Sequence, residues 1–251
     1  MKIVLSVLFA FCMLCAKAQD INLLLKEAAS LEKQLKEPEA LDKYKLVTKA
    51  DANNITALVK CAELNAAIGA RQTDKNAKIT YYNTAQSCAQ QAIATAPDNA
   101  DANYAMALVA AKMTEVSTEN KTVVEYVRKA KLYVDKALAI NPSHAKANYT
   151  IGKWHFEMVN LSWVKKAAVK TLYGGLPKGD IDSAIIYMEK CRSLDQYFVS
   201  NTLDLAKAYQ YNHQPAKAIE FFEECVKISK ELDDDEESGF LINATLYLAR
   251  L

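Results

Sequence analysis

The apolar positions of this chain recur at helical spacing. Ala130, Val134 and Ala137 are four and three residues apart, which places all three on one face of a helix. Similar patterns predict helices at 21–36, 39–50, 55–70, 75–96, 101–116, 120–140, 144–159, 181–194, 199–212, 215–230 and 236–250. A short helix over 163–172 and a loop containing Gly174 and Gly175 are predicted inside an irregular stretch at 161–180.

Small residues and prolines recur along the chain with a step of 45 residues. Four sets keep this step: Ala40, Ala85 and Ala130; Ala62, Ala107 and Gly152; Val47, Ala92 and Ala137; Ala52, Pro97 and Pro142. Pro142 ends a helix and places the residue before it in extended conformation. Two antiparallel helices followed by such a turn bury their apolar faces only by stacking on neighbouring units. The recurrence therefore predicts an array of helix pairs.

This order of residues resembles the tetratricopeptide repeat, whose period is 34 residues. The C-terminal unit has that period, since Ala184 and Ala218 are equivalent in it. The earlier units are longer by about three helical turns, so longer helices are expected there. A HEAT-like array also has a period in the forties, but the shorter unit and the proline turns favour tetratricopeptide-like repeats. The predicted fold class is all-α, a tetratricopeptide-like α-solenoid of about four to five helix pairs with a C-terminal capping helix. The candidate buried residues of this capping helix are Leu241, Leu246 and Leu248.

The first 18 residues have the pattern of a secretory signal peptide. Lys2 precedes an apolar run over 3–15, and Ala16 and Ala18 form a small-x-small cleavage site that would leave Gln19 at the N-terminus. The run is shorter than the about 20 residues of a membrane span. Large residues precede its two cysteines, which disfavours a lipoprotein. We therefore expect export with cleavage of the leader.

Export would leave residues 19–251 as one tetratricopeptide-like helical repeat domain with an insertion at 161–180. The expected location is the periplasm or the secreted medium. No second apolar run in the sequence is long enough for an integral membrane span. The cleavage context resembles those of periplasmic proteins of Bacteroidota.

Composition and motifs add little chemistry to this picture. The chain is 51% hydrophobic, has 6 Gly and 5 Pro, and carries a formal net charge of +1, which gives no electrostatic argument for nucleic acid. It has no HExxH, GxSxG, P-loop or GxGxxG motif. We therefore expect no catalysis, no cofactor and no metal. Four cysteines outside the leader lie on apolar stripes without CxxC spacing and are expected as buried thiols, with disulfides left open: Cys61, Cys88, Cys191 and Cys225.

The segment from Trp163 to Phe222 resembles the regulator of microtubule dynamics family. In that family a Trp-bearing helix, a Gly-Gly-x-Pro-like loop and a further helix lead into a final repeat. The matching residues here are Trp163, Gly174, Gly175, Pro177 and Tyr197 to Asn201. The resemblance covers roughly residues 100 to 230. It implies an α-solenoid without catalysis, whose eukaryotic members associate with microtubules or organelle membranes. An exported protein does not meet cytosolic microtubules, so microtubules are not the expected partner.

The first helix of each unit lines the inner face of a tetratricopeptide array. Helical projection places aromatic and basic residues on or near that face. These candidate groove residues are Tyr104, Tyr149, Lys153, Phe156, Lys207 and Tyr211, with Lys112, Leu203 and Gln210 beside them. Aromatic rings with lysines suit an extended or helical peptide that bears acidic groups. The alternative is that about half of these side chains pack against neighbouring helices.

Two classes of function fit these features. One is a non-catalytic scaffold or adaptor outside the cytoplasm that holds a protein or peptide on the solenoid surface. The other is an envelope assembly factor attached to an outer-membrane complex. A lipoprotein signal would favour the second, and the leader lacks one.

Overall fold

A computed structural model describes residues 20–232 and 235–248 of the chain. Every regular element in these two ranges is a helix, and they contain no strand. The helices are α1 (residues 20–33), α2 (Glu37–Ala50), α3 (Ile55–Arg71), α4 (Lys75–Thr95), α5 (Ala100–Val116), α6 (Asn120–Ile140), α7 (Ala145–Asn160), α8 (Trp163–Tyr173), α9 (Ile181–Leu194), α10 (Val199–Tyr211), α11 (Pro215–Leu232) and α12 (Asp235–Leu248). The predicted all-α fold class is confirmed. The chain divides into two compact units, Met1–Val116 and Ser117–Leu251.

The 45-residue step appears in the structure as a repeated helix start. Asn54, Asn99 and His144 each precede a helix and accept a hydrogen bond from the backbone N–H three residues later, at 3.1, 2.9 and 3.1 Å. Such a cap satisfies one of the N–H groups that a helix leaves without a partner in its first turn. His144 therefore serves as a helix cap through its Nδ1 atom.

Asparagines close the two proline turns. The side-chain amide of Asn103 donates to the carbonyls of Pro97 and Asn99, both at 2.8 Å. Asn148 donates in the same way to Pro142 and His144, at 3.1 and 2.9 Å. Both asparagines are buried, so each amide satisfies carbonyl groups that would otherwise lack a partner inside the protein. The sequence Ala-Asn-Tyr occurs at 102–104 and again at 147–149, and in both places its asparagine bonds a proline turn to the helix that follows.

In the first unit, small residues allow α3 and α4 to pack closely. Ala62 and Ala85, which the repeat register places at helix contacts, are fully buried. A Cβ atom added to Gly69 on α3 would lie 2.8 Å from Tyr82 Cε1 on α4, so only glycine fits there without a shift. The Tyr82 hydroxyl donates to Glu115 Oε2 on α5 at 2.7 Å, which links α4 to the following helix.

In the second unit, α7 pairs with α9, and α10 pairs with α11. A Cβ atom on Gly152 of α7 would lie 2.8 Å from Met188 Cγ and 3.0 Å from the Ala184 carbonyl oxygen of α9. Ala184 and Ala218, the equivalent residues of the 34-residue unit, are both fully buried. The 45-residue spacing accompanies long helices, since α4 and α6 have 21 residues each. These findings agree with the predicted register.

The insertion at 161–180 places α8 outside the pairing of α7 with α9. Gly174 ends α8 in left-handed conformation, with φ of 75°, and the Gly175 N–H donates to the Val169 carbonyl at 3.1 Å. Arg128 on α6 donates to the Tyr173 and Gly175 carbonyls. The predicted glycine loop is therefore bonded to α6.

The capping helix differs in part from its prediction. Leu248 is partly buried against the core of the second unit, as expected. Leu246 is 48% exposed, so its predicted place on the buried side is wrong. The buried side of the helix contains Ala244, which is fully buried, and Tyr247, whose ring stacks on Phe222. The Leu241 side chain and the leader at 1–18 lie outside the described residues.

The four cysteines beyond the leader are free thiols in the structure. Cys61, Cys191 and Cys225 are buried, and Cys88 is partly buried. Within the described residues, no helix is long and apolar enough to cross a membrane. The same residues contain no group of three or more His, Cys, Asp or Glu side chains placed to hold a metal ion.

A candidate peptide-binding face on two parallel helices

The candidate site lies where α7 and α10 run side by side in the second unit. The Tyr149 hydroxyl donates to Asp204 Oδ2 at 2.9 Å, and the rings of Phe156 and Tyr211 meet edge to face with centroids 6.1 Å apart. Both pairs are 55 residues apart in the chain. Because the offset is the same at two levels, the two helices run in the same direction, as first helices of successive repeats do.

Each helix contributes one stripe to this face. Tyr149, Lys153 and Phe156 follow one another at steps of four and three residues on α7. Asp204 and Lys207 are three residues apart on α10, and Tyr211 follows four residues later. Such spacing keeps side chains on one side of a helix. We call this set of six residues the α7–α10 face.

Asp204 is the electrostatic centre of the α7–α10 face. Its Oδ2 atom accepts a hydrogen bond from Lys153 Nζ at 2.9 Å, and its Oδ1 atom accepts one from Lys207 Nζ at 3.0 Å. Asp204 is only 7% exposed, whereas the side chains of Lys153 and Lys207 are 45% and 25% exposed. The two lysines therefore reach from solvent to a buried carboxylate.

Burial alone would raise the pKa of the Asp204 carboxyl, but the two ammonium groups hold that pKa below its usual range. Tyr149 and the Asp204 carboxylate raise the pKa of Lys153, which outweighs the opposing effect of burial. Burial, followed by the nearby carboxylate, raises the pKa of the Tyr149 phenol. At neutral pH the cluster therefore contains two cations, one anion and a neutral phenol, and its net charge is +1.

Lys153 keeps the capacity to bind a further group. An ammonium group has three N–H donors. Lys153 gives one to Asp204 and one to the Tyr149 hydroxyl, which is 3.2 Å away. Its remaining donor and its exposure allow a hydrogen bond to an acceptor from outside. Tyr211 is 44% exposed on the same face and adds an aromatic surface. The arrangement can therefore hold an anionic or carbonyl oxygen next to an apolar side chain.

Five of the six candidate groove residues come together in this way. Tyr104 belongs to the first unit and is 5% exposed, so it is a core residue that presents little surface to a partner. Leu203, which projection placed beside the groove, is 3% exposed and belongs to the core of the second unit. Lys112 forms an ion pair with Glu115 in the first unit, at 3.0 Å.

Sequence reasoning missed Asp204. The signal was available, because Asp204 precedes Lys207 by three residues and Tyr211 by seven, which is the spacing of one helical face. Projection placed Leu203, Lys207, Gln210 and Tyr211 on or near the face and left Asp204 out. The prediction therefore expected both lysines to bind acidic groups of a partner. In the structure each of them already forms an ion pair with Asp204.

Comparison with known families identifies the chain. A family model described as "Regulator of microtubule dynamics protein 1-3" matches residues 24–246, which is most of the chain. The chain belongs to the regulator of microtubule dynamics family. The sequence resemblance at 100 to 230 is thereby confirmed and extended to the N-terminal repeats. A comparison of this family member with curated proteins finds no match.

Solved structures show the fold of this family member. TTC0263, a thermophilic TPR protein in Thermus thermophilus, has a TM-score of 0.63 at 15% identity, over 90% of this chain and 99% of its own. The structure of pilF from Pseudomonas aeruginosa has a TM-score of 0.54 at 11% identity, over 94% of this chain and 93% of its own. At such identities the likeness concerns the fold, which is a tetratricopeptide-like α-solenoid.

Proposed function

We propose that this protein is a non-catalytic scaffold that binds a protein partner on the α7–α10 face. The observation that carries the proposal is the half-exposed Lys153, held by Asp204 and Tyr149 next to exposed aromatic surface. The tetratricopeptide-like fold supports a binding role, because stacked helix pairs create extended surfaces suited to peptides.

The partner chemistry follows from the charge and shape of the face. Lys153 would bind a carboxylate or backbone carbonyl oxygen, and the +1 charge of the cluster favours an acidic segment. Tyr211 and Phe156 would cover an apolar side chain of the same segment, since a ring offers contact area at little cost in side-chain entropy. We therefore propose an extended or helical peptide with acidic and apolar residues close together.

The proposed place of action is outside the cytoplasm, in the periplasm or the secreted medium. Support comes from the leader pattern at 1–18. Attachment to an outer-membrane complex is the second proposal for the exported protein. Fractionation of the native cells distinguishes them, since an attached factor stays with the membrane fraction at physiological salt whereas a free scaffold is released.

Site-specific photocrosslinking in the native cells tests the binding face. A photoreactive residue in place of Tyr211 should capture one dominant partner protein. The matched control replaces Ile186 on α9, which is 64% exposed, and should not enrich that partner. Equal capture from both positions, or capture from Ile186 alone, would show that the partner uses another surface.

A further inference from the structure

Two cysteines of the first unit meet across the contact between α3 and α4. Cys61 on α3 is 1% exposed and belongs to the core of that unit. Cys88 on α4 packs against the same core from a partly buried position. The thiol of Cys61 donates a hydrogen bond to the sulfur of Cys88. The two sulfur atoms therefore face each other, although the residues are 27 positions apart in the chain.

The packing of α3 against α4 explains why these thiols meet. Gly69 on α3 lies so close to Tyr82 on α4 that a Cβ atom would not fit between them. Cys61 lies eight residues before this contact on α3, and Cys88 lies six residues after it on α4. Two helices that run in opposite directions bring such positions to nearly the same level. A fully buried alanine follows each cysteine and keeps the two backbones close, as a disulfide requires.

The two thiols differ in exposure and in acidity. The hydrogen bond from Cys61 and the ammonium group of Lys45 on α2 hold the pKa of Cys88 below its usual range, although burial opposes them. The same hydrogen bond, followed by burial, raises the pKa of Cys61. The thiolate is the reactive form of cysteine, so the partly exposed Cys88 is the sulfur that reacts first with a reagent from outside.

The cysteines of the second unit lack this arrangement. Cys191 and Cys225 are both completely buried, so neither offers its sulfur to a reagent from outside. Burial, followed by the charge of Asp195, raises the pKa of Cys191 to about 12. These two cysteines therefore serve as controls within the same chain.

We infer that Cys61 and Cys88 form a thiol pair that exchanges with disulfides from outside the protein. The Cys88 thiolate attacks one sulfur of such a disulfide, which forms a mixed disulfide and releases one thiolate that takes up a proton. Cys61 then gives its proton to solvent, and its sulfur attacks the Cys88 sulfur and releases the second thiolate. In total, two protein thiols lose two electrons and become one disulfide, while the outside disulfide gains them and becomes two thiols.

The new bond would join α3 to α4 within one repeat. It would stabilise the first unit, because a disulfide limits the conformations of the unfolded chain. An oxidising compartment, such as the proposed location outside the cytoplasm, provides disulfides of this kind. The pair lies in the first unit and the α7–α10 face in the second, so failure of this inference leaves the proposed peptide binding intact.

Incubation of the purified chain with oxidised glutathione tests this inference. The chain carries Cys12→Ser and Cys15→Ser, so that only the four later cysteines remain. Peptide mapping by mass spectrometry should find one disulfide, between Cys61 and Cys88, that dithiothreitol reduces. In Cys61→Ala, Cys88 should keep a bound glutathione, because no second thiol releases it. In Cys88→Ala, the buried Cys61 should take up glutathione at least about tenfold more slowly.

The matched control is Cys191→Ala with Cys225→Ala, which should form the same disulfide at the same rate. The oxidised chain should unfold at a higher urea concentration than the reduced chain, and circular dichroism should show that the variants are folded. The inference would be overturned if no disulfide joins Cys61 to Cys88, if both take up glutathione equally fast in the single variants, or if oxidation lowers the urea midpoint. The disulfide map decides the inference even if an alanine variant does not fold.

Discussion

The carboxylate of Asp204 on α10 lies 2.9 Å from the ammonium group of Lys153 on α7. This ion pair joins the first helices of two successive repeats, and its acid is nearly removed from solvent. Lys207 reaches the other carboxylate oxygen, and the Tyr149 hydroxyl donates to the same oxygen as Lys153. The α7–α10 face is thus also a structural junction, which determines how it responds to substitution and to pH.

Replacement of Asp204 by Asn should destabilise the protein. The change leaves two lysines next to each other without their common anion, and breaking a buried pair by removing one partner costs more than the pair contributes. Because both lysines are partly solvated, we expect a loss of about 1–3 kcal/mol. Urea unfolding measures it. Asp135→Asn, which removes an exposed acid from a pair with Lys131, should change stability by less than about 0.5 kcal/mol. An Asp204→Asn variant as stable as the control would contradict the account.

The contribution of Asp204 should depend on pH with a definite sign. Its folded pKa is lowered below the unfolded value of about 3.9, so the ionised carboxylate stabilises the fold fully above about pH 4. That stabilisation is lost as the pH falls through the lowered folded value. The difference in unfolding free energy between the wild type and Asp204→Asn should therefore shrink in acid. Urea titrations at pH 7 and at about pH 3 check this, and an unchanged difference would show that folding does not lower the pKa of Asp204.

The repeat register predicts the effect of larger side chains at its small positions. Ala107 and Ala130 are buried in α5 and α6. Leucine at either position should cost about 1–3 kcal/mol, because overpacking forces neighbouring side chains off their preferred rotamers. Ala168→Leu on the exposed α8 is the matched control and should leave the melting temperature nearly unchanged. Wild-type melting of both core variants would mean that the register is wrong.

Export is tested by the N-terminus of the native protein. The leader pattern predicts cleavage after Ala18, so mass spectrometry of the protein from its own cells should find Gln19 as the first residue. An intact Met1 on protein recovered from the cytosol would exclude the proposed location. Cytosolic proteins would then become candidate partners.

The fold could be predicted because its signals are local and repeated. The 45-residue step placed Ala62, Ala85 and Ala107 at contacts where the structure buries them completely. Proline and glycine marked the turns, since each restricts the backbone in a known way. The role of Asn103 could not be predicted from its repetition alone, because an amide that closes a turn and an amide on the surface have the same sequence pattern.

The α7–α10 face could be predicted only in part, for a physical reason. Periodicity assigns residues to a side of a helix but not the rotation of that helix against its neighbour. Projection included Leu203, which is buried in the core, and omitted Asp204, whose carboxylate contacts both lysines. Likewise, the pattern of α8 indicated a short helix correctly, but nothing in it showed that Val164 and Leu172 face outward.

The central claim is that the α7–α10 face binds the partner, and affinity measurement with the photocrosslinked partner tests it most directly. Lys153→Gln should weaken binding at least about fivefold, since it removes the ammonium group whose third N–H donor can bind the partner. Tyr149→Phe should change affinity little, because the Tyr149 hydroxyl already donates its hydrogen bond to Asp204. Lys136→Gln on α6 is the control and should bind like the wild type. If folded Lys153→Gln and Tyr211→Ala both bind as tightly as this control, the partner does not use the α7–α10 face.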